Sequence, residues 1–218
     1  MALVLSVNVG EARPSAPTSA PSGLTGIDKR PVPGPVEVRD PGPKGTGGSG
    51  LAGDAVCDRR HHGGSDQAVY AYAREDLDLW EAQLGRRLDC GVFGENLTTL
   101  GLDLTTALIG ERWQVGTCEL QVTDPRIPCR TFAGWLAEAG WVRRFKQAGA
   151  PGTYLRVLRP GVVRAGDAIE VLSRPAHGVT IGLAFQAHTT HPELLPRLLE
   201  VGPALSEEAR RSATGGVA

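Results

Sequence analysis

The chain has 218 residues, and its 23 lysines and arginines are balanced by 24 aspartates and glutamates for a net charge of −1. This balance excludes a strong basic field for nucleic acid or for an anionic membrane surface, and no apolar run approaches the roughly 20 residues of a membrane helix. Residues Met1–Gly10 lack the basic start and the apolar core of an export signal. We therefore expect a cytoplasmic protein that binds neither nucleic acid nor membranes.

Residues 1–24 form the first predicted part of the chain, with an apolar strand at Leu3–Val9 and a proline-rich lead-in. Up to Gly53 the chain is rich in glycine and proline, which resist regular structure, apart from a short strand predicted at Val36–Arg39. Within this stretch Pro41–Gly50 reads PGPKGTGGSG, and we interpret it as a solvent-exposed loop.

Helical periodicity appears after Asp66, where apolar side chains recur at spacings of three and four residues. The apolar positions are Val69, Ala73, Leu77, Trp80 and Leu84. Ser65 or Asp66 can cap the start by accepting a backbone N–H bond, and Gly85 can end the helix. The pattern therefore predicts one amphipathic helix between Asp66 and Gly85.

Strands dominate the next part of the chain. Arg112–Val115 and Cys118–Val122 flank Gly116–Thr117, which predicts a tight hairpin. Two further strands are predicted at Thr153–Arg159 and Ala168–Leu172, joined by a turn-rich link.

Helical patterns interrupt and follow these strands. Thr131–Gly149 has an interrupted helical pattern, and three short helices are expected after Thr180. The last of the three opens at Ser206, because acidic residues follow it at the positive end of the helix. The elements together predict a β-rich core with helical insertions and a small helical tail.

The four cysteines, Cys57, Cys90, Cys118 and Cys129, are irregularly spaced and form no Cys-X-X-Cys pair. Such a set predicts free thiols in a reducing compartment rather than a disulfide framework. It also cannot build a ferredoxin-like iron–sulfur cluster. One of these thiols can instead serve as a reactive group.

The segment DPRIPCRTF, residues 124–132, is the strongest candidate for chemistry. Pro125 and Pro128 remove backbone donors, so we expect the chain to leave the preceding strand as a stiff loop and to enter a helix near Pro128. Cys129 then lies at the positive end of that helix between Arg126 and Arg130, and all three influences favour a thiolate. Its residues indicate either a reactive thiol or a structural cysteine.

A second candidate is the stretch RRHHGG, which precedes the predicted helix. Arg60 and His62, with the backbone of Gly63 and Gly64, can hold a phosphate or another oxyanion. Two alternatives remain: a turn whose basic residues face solvent, and a structural metal site. The ligands of that metal site would be Cys57, Asp58, His61 and His62.

A third, weaker candidate is FGENLTT, residues 93–99. Gly94 allows a sharp turn, and Glu95 and Asn96 place an acceptor and an amide at one point. The same three residues also occur in ordinary turns.

Four segments in this order resemble the MOSC domain family, named for the C-terminal domain of molybdenum cofactor sulfurase. They are GDAVCDRRHHGGSDQAVYAY, FGENLTT, IGERW and DPRIPCRTF. TGIDKRPV before them and YLRVLRPGVVRAGDAIEVL after them fit the same pattern, so the resemblance extends from about Thr25 to Leu172. The helical remainder is similar to the three-helix tail of the YiiM-like bacterial branch.

The resemblance implies a mainly β (α+β) fold. Its centre would be a closed or nearly closed β-barrel with peripheral helices over residues 25–174, followed by a helical subdomain over residues 177–218.

The resemblance also implies a binding site for the molybdenum cofactor, molybdopterin. Cys129 would be the catalytic cysteine and a molybdenum ligand, since soft thiolates pair with soft metals. The implied cofactor-binding residues are Lys29, Arg60, His62, Gly63, Gly64, Asp66, Gly94, Glu95, Asn96, Arg126 and Arg130. The extra length of Pro41–Gly50 leaves the relative placement of Lys29 and Arg60 open.

The implied activity is reduction of N-hydroxylated bases or related N-oxygenated compounds. Electrons would come from a separate reductase, because the chain has no flavin or iron–sulfur motif. One alternative is a carrier that holds sulfur or the cofactor on Cys129, and another is a non-catalytic interaction module that uses the helical tail. The tail could also support a homodimer.

Overall fold

The computed structural model describes residues 1–215, so residues 216–218 of the predicted tail lie outside the described part. The strands are β1 (Leu3–Gly10), β2 (Arg13–Pro14), β3 (Leu24–Thr25), β4 (Lys29–Pro31), β5 (Val36–Val38), β6 (Val69–Ala73), β7 (Leu97–Leu100), β8 (Arg112–Val115), β9 (Cys118–Pro125), β10 (Thr153–Arg159), β11 (Gly161–Val163) and β12 (Ile169–Ser173). The α-helices are α1 (Arg74–Leu84), α2 (Arg130–Leu136), α3 (Trp141–Ala148), α4 (Ile181–Thr189) and α5 (Glu207–Ala213). Two 3₁₀ segments span Ser65–Gln67 and Pro192–Ala204.

Eight strands form one large sheet in the order β12-β8-β9-β10-β6-β7-β1-β4. The pairs are antiparallel except for β6 and β7. Leu3 at the start of β1 bridges Ala168 beside β12, so the sheet curls back toward its other edge without a continuous ladder. The mainly β, α+β class is confirmed, while the barrel is incomplete.

The predicted N-terminal part, residues 1–24, is not separate from this sheet. Its strand β1 lies between β7 and β4 and pairs with both. The boundary near Thr25 is therefore a change in composition rather than a structural division of the sheet.

The helix predicted between Asp66 and Gly85 is wrong in its first half. A 3₁₀ turn is followed by β6, and only Arg74–Leu84 is α-helical, with Gly85 as the left-handed cap at its end. All five residues of β6 are buried, because the strand pairs with β7 on one side and β10 on the other. Helical spacing alone does not distinguish such a strand from a helix, since both its faces are covered.

The predicted hairpin is confirmed as β8 and β9 around Gly116, whose φ is +54°. The strand at Thr153–Arg159 is confirmed as β10, and the second strand of that pair is β12. The link between them contains the unpredicted strand β11, which pairs with β5. A three-residue strand is stabilised mainly by its partner and so leaves little pattern in the sequence.

The interpretation of Pro41–Gly50 as a solvent-exposed loop is corrected at its second half. Gly47 and Gly50 are buried, and the backbone N–H of Gly64 donates to the carbonyl of Gly48 over 3.0 Å. A Cβ on Gly63 would lie 2.6 Å from that same carbonyl oxygen. The glycines on both sides therefore allow the two backbones to touch.

Two hydrophobic cores lie on either side of the sheet's central strands. An aliphatic core fills the interior of the sheet and extends under the tail. An aromatic core joins α1, α2 and α3 to β6 and β10. We refer to these two clusters as the aliphatic core and the aromatic core.

The predicted three helical segments of the tail are present. The middle one is a 3₁₀ segment with a kink at Gly202, whose φ is +68°. Ser206 caps α5 as predicted, since its hydroxyl accepts the N–H of Ala209 over 3.1 Å. Among residues 1–215, no helix combines the length and the apolar character needed to cross a bilayer.

Candidate functional site

A cleft enclosing about 670 Å³ of empty space, including its mouth, lies where four connections meet. They are the turn before β4, the long connection from β5 to β6, the connection from α1 to β7, and the link from β9 to α2. Clefts of this size are typical of small-molecule and cofactor sites.

Seven of the sequence-predicted site residues line this cleft. They are Lys29, His62, Gly63, Gly94, Asn96, Arg126 and Cys129. The other five predicted residues do not line it, and they are Arg60, Gly64, Asp66, Glu95 and Arg130. The segments that are distant in sequence are thus brought together, although not every predicted residue points into the cleft.

Cys129 lies at the junction between β9 and α2. Its φ of −118° and ψ of 171° are extended, and its carbonyl accepts the N–H of Ala133 over 3.0 Å as the first turn of the helix forms. The side chain is half-buried and lines the cleft. The strand β9 continues through Pro125, three residues beyond its predicted end at Val122, because Pro125 pairs with Thr153.

Arg126 provides the main positive charge of the cleft. Only 6% of the residue is exposed, and its guanidinium lies 5.0 Å from the ring centre of Tyr70 and 4.6 Å from that of Phe132. Within residues 1–215 no hydrogen bond or ion pair reaches the guanidinium, and Nε is buried without a partner. Since an arginine stays protonated, this buried charge needs an anion that the described protein does not supply.

Lys29, in contrast, is compensated inside the protein. Its ammonium pairs with the carboxylate of Asp54, which also accepts the N–H of Gly10 over 2.8 Å and the side-chain amide of Asn96 over 2.9 Å. Burial lowers the pKa of Lys29, and Asp54 opposes that change. Asn96 is further fixed because its carbonyl oxygen accepts the N–H of Tyr70.

The segment around Gly94 is held by Glu95 from behind the cleft. The fully buried Glu95 carboxylate accepts the N–H groups of Gly91 at 2.5 Å and Phe93 at 3.0 Å. Burial raises the pKa of Glu95, while these N–H groups oppose the change. Gly94 itself lines the cleft with a φ of +75°. Glu95 therefore orders the part of the cleft wall around Gly94 and does not itself line the cleft.

His62 and Gly63 also line the cleft. Burial, followed by the charge of Arg126, lowers the pKa of His62 to about 4, so the imidazole is neutral at pH 7. Gly63 has a φ of +77°, which only glycine adopts without strain. Neutral imidazole can donate one hydrogen bond and accept another.

The remaining predicted residues lie outside the cleft. Arg60 and Arg130 are exposed, and Gly64 packs against the backbone of Lys44. Asp66 forms an ion pair with Arg156, whose Nε lies 2.8 Å from its carboxylate.

Sequence reasoning missed several residues of the cleft. Asp54 was not singled out, although it lies within the motif that begins at Gly53. Tyr70 and Tyr154 line the cleft from adjacent strands, their rings 5.1 Å apart. The hydroxyl of Tyr154 makes no hydrogen bond within the described residues. Tyr70 was missed because its segment was predicted as a helix, and a strand directs the side chain to a different face than a helix does.

The structural metal alternative finds no support. Among residues 1–215, no group of three His, Cys, Asp or Glu side chains is arranged to hold a metal ion. His61 instead turns its Nδ1 to Asp58 at 3.0 Å and is largely exposed. Cys57 lines the cleft, and burial raises its pKa.

Taken together, the cleft combines one uncompensated cation, a half-buried thiol and a neutral imidazole. This set suits an anionic ligand that also carries an electrophilic or thiophilic centre.

Comparisons with known proteins agree with this architecture. The family model for the MOSC domain matches residues 58–170. The uncharacterized protein YflK of Bacillus subtilis is 34% identical over 181 residues, which cover 83% of this chain and 78% of that protein. A protein of Gibberella moniliformis named "Reductase" is 30% identical over 138 residues, which cover 62% of this chain but only 24% of that protein.

Among solved structures, the crystal structure of YiiM from Geobacillus stearothermophilus superimposes with a TM-score of 0.79 and 28% identity, covering all of both chains. The similarity thus includes the helical tail as well as the sheet. On the family model and on the full-length structural similarity, the chain belongs to the MOSC domain family, in its YiiM-like branch.

Proposed function

We propose that the cleft binds the molybdenum cofactor and that the protein reduces N-hydroxylated bases or related N-oxygenated compounds. The observation that carries the proposal is the guanidinium of Arg126, buried in the cleft without an anionic partner among the described residues. Molybdopterin carries a phosphate, and the family is named for a protein of molybdenum cofactor metabolism.

The residues present fit this group. Arg126 would bind its anionic part through charge-assisted hydrogen bonds. Gly63 lets a ligand approach the backbone closely, and the neutral His62 can accept or donate beside it. Cys129 offers the soft sulfur ligand that molybdenum prefers. When bound, the cofactor would supply two-electron redox chemistry.

The protein's own contribution is to bind and to orient. Asp54 holds Lys29 and Asn96 in one network, so this part of the wall is rigid before any ligand arrives. Phe132 and Tyr70 fix the direction of the Arg126 guanidinium by cation–π contact. Preorganised groups of this kind lower the cost of binding.

Electrons would come from a separate reductase. The similarity to the Gibberella protein named "Reductase" supports this part, because the matched segment is about a quarter of that longer protein. The remainder of that protein has room for further domains, whereas YiiM from Geobacillus has the extent of this chain.

The test compares Arg126→Gln with Arg130→Gln, an exposed arginine four residues further along the chain that does not line the cleft. Both variants and the wild type are purified from a host that makes the cofactor, and molybdenum and phosphorus are measured per protein. We expect at least about a tenfold loss of both elements in Arg126→Gln, since a charge-assisted hydrogen bond contributes about 1.5–3 kcal/mol, and unchanged contents in Arg130→Gln.

Turnover is measured in parallel with a chemical reductant and a hydroxylamino-purine. Equal metal and phosphorus in all three proteins would contradict cofactor binding at Arg126. Normal loading together with sulfide release from Cys129 and no turnover would favour the carrier alternative over the reductase.

A further inference from the structure

A second cavity, with about 660 Å³ of empty space including its mouth, shares part of its wall with the cleft. Gly63 and Gln67 line both spaces. The rest of the second cavity is formed by the loop at Lys44, by Ser65 and Asp66 of the 3₁₀ turn, by the end of β9 and by the start of α5. The C-terminal tail therefore encloses a polar space directly behind the wall of the cleft.

Asp124 places its carboxyl group in this second cavity. It lies on β9 two residues before Arg126, and its Oδ1 accepts the hydroxyl of Ser206 over 3.0 Å. Burial raises its pKa to about 7; Asp66 and Glu208 add to that change, whereas Ser206 and Lys44 oppose it. A group with this pKa takes up and releases protons readily at neutral pH.

Other charged groups around the cavity are paired or more distant. Arg156 is paired with Asp66, and Lys44 with Glu208. Glu207 and Arg211 also line the cavity, and neither forms an ion pair with Asp124. Tyr154 lies on the neighbouring strand β10, and Asp124 is among the groups that raise its pKa after burial.

The shared wall contains a polar atom that has no partner. Oε1 of Gln67 is buried and accepts no hydrogen bond within residues 1–215. A buried acceptor of this kind is usually satisfied by water, and here the residue borders both cavities. A water on Gln67 would connect the second cavity with the cleft.

The proposed reaction consumes protons. When R–NH–OH is reduced to R–NH₂, the N–O bond breaks, two electrons from the reductase enter, one proton joins the nitrogen, and one leaves with the oxygen as water. Arg126 keeps its proton at any ordinary pH, His62 is already neutral at pH 7, and Lys29 is held in its ion pair with Asp54.

We propose that Asp124 supplies these protons, relaying them from solvent in the second cavity through water at Gln67 into the cleft. This inference rests on the proposed function, because it assigns a role within the same reaction. Asp124 acts through water and Gln67 and does not touch the cleft's ligand.

The experiment measures turnover of a hydroxylamino-purine with saturating reduced viologen from pH 5.5 to 9, beside molybdenum content and thermal melting. In the wild type, kcat should fall as Asp124 loses its proton near pH 7. Asp124→Asn keeps the shape and the contact to Ser206, so we expect normal metal content but kcat lower by about tenfold at neutral pH. The fall of kcat near pH 7, which we call the limb of the pH profile, should be absent from Asp124→Asn.

Two further variants move the limb in opposite directions. Ser206→Ala removes a hydrogen bond that favours the carboxylate, so the limb should move to higher pH. Glu208→Gln removes a negative charge and frees Lys44, so it should move to lower pH. Glu207→Gln, on the same cavity, is the matched control and should leave the limb in place.

The outcomes separate this inference from the proposed function. A wild type that loads the cofactor but never turns over would overturn both. An active wild type with an unchanged profile in Asp124→Asn would overturn the relay alone. If Asp124→Asn does not fold, the other two variants still test the relay. The relay is overturned if Ser206→Ala and Glu208→Gln do not shift the pH at which kcat falls in opposite directions.

Discussion

The aromatic core and the aliphatic core differ in what they support. The aromatic core contains all three tyrosines, all four phenylalanines, Trp80 and Trp141, with Trp135 packed against it. The aliphatic core holds only one aromatic residue, Trp113. Large rings with few rotamers can hold a cation at a fixed place, and two of them flank the guanidinium of Arg126. The few aromatic residues of this chain are thus concentrated where the cleft needs rigid walls.

Each region also contains one buried glutamate that holds a turn. Glu95 accepts the N–H groups of Gly91 and Phe93 beside the cleft. Glu111 accepts the N–H of Leu108 over 3.1 Å and the indole N–H of Trp113 over 2.9 Å in the aliphatic region. Both glutamates hold a turn in this way, and Glu111 in addition pairs with the exposed Arg174 over 3.4 Å. Substituting each in turn therefore separates an effect on the cleft from a general loss of stability.

The largest effect is expected at Cys129. Cys129→Ser should reduce turnover by at least about 100-fold, because a hydroxyl is a poor substitute for a soft thiolate ligand. The fold should persist, since the residue is half-buried in a loop. Turnover per molybdenum and thermal melting are the measurements. Cys90→Ser, half-buried outside the cleft lining, is the control, and an active Cys129→Ser would remove the proposed role of this thiol.

The second-largest effect is expected when one buried side chain is removed from each of the two cores. Phe132→Ala and Leu120→Ala each remove a buried side chain, and we expect losses of about 3–5 and 2–5 kcal/mol in the free energy of unfolding. Only Phe132→Ala should also reduce cofactor content, because Phe132 lies against Arg126. Denaturant unfolding and metal analysis test this difference. Equal metal content in the two variants would show that the aromatic core has no special role in the cleft.

A smaller effect is expected at the two glutamates. In Glu95→Gln and in Glu111→Gln an amide N–H₂ replaces an accepting oxygen opposite N–H donors, which should cost each protein about 1–3 kcal/mol. Glu95→Gln should in addition weaken cofactor retention through Gly94, whereas Glu111→Gln should not. Melting curves with and without the cofactor give the measurement. If stabilisation by the cofactor is the same in both, the wall at Gly94 is not important for binding.

The smallest effect concerns Asp76, on α1 beside the aromatic core. Burial, together with Asp103 and Glu75, raises its pKa from 3.8 to about 6. The folded state holds this proton more tightly than the unfolded state, so stability is lost between about pH 4 and 6 as the pH rises. Asp76→Asn should therefore gain about 1 kcal/mol at pH 7.5 and nothing below about pH 4. Asp78→Asn, on the exposed side of the same helix, should show no such gain in pH-dependent melts.

Much of the candidate site could be predicted from the sequence because its residues lie in short contiguous motifs. The order of proline, arginine and cysteine in DPRIPCRTF already predicts a turn into a helix with a thiol at the junction, and α2 begins one residue after Cys129. The hairpin around Gly116 was predictable for the same reason, since a tight turn depends on local backbone preferences.

Other features depended on partners far away in sequence. Val69–Ala73 became a strand because β7 and β10 cover both its edges, which outweighs a helical spacing of apolar residues. Asp54 became part of the site because Lys29 and Asn96 are brought to it from opposite sides. Asp66, predicted to bind the cofactor, is instead paired with Arg156, ninety positions along the chain.

The sequence by itself determined the family, the α+β class and the motifs that bring a thiol, an arginine and a histidine to one cleft. The tertiary structure alone decided which charges in that cleft are compensated. Lys29 meets Asp54, and Arg126 meets only aromatic rings among the described residues. Pairing of buried charges depends on distances across the fold, and the local sequence carries no record of those distances.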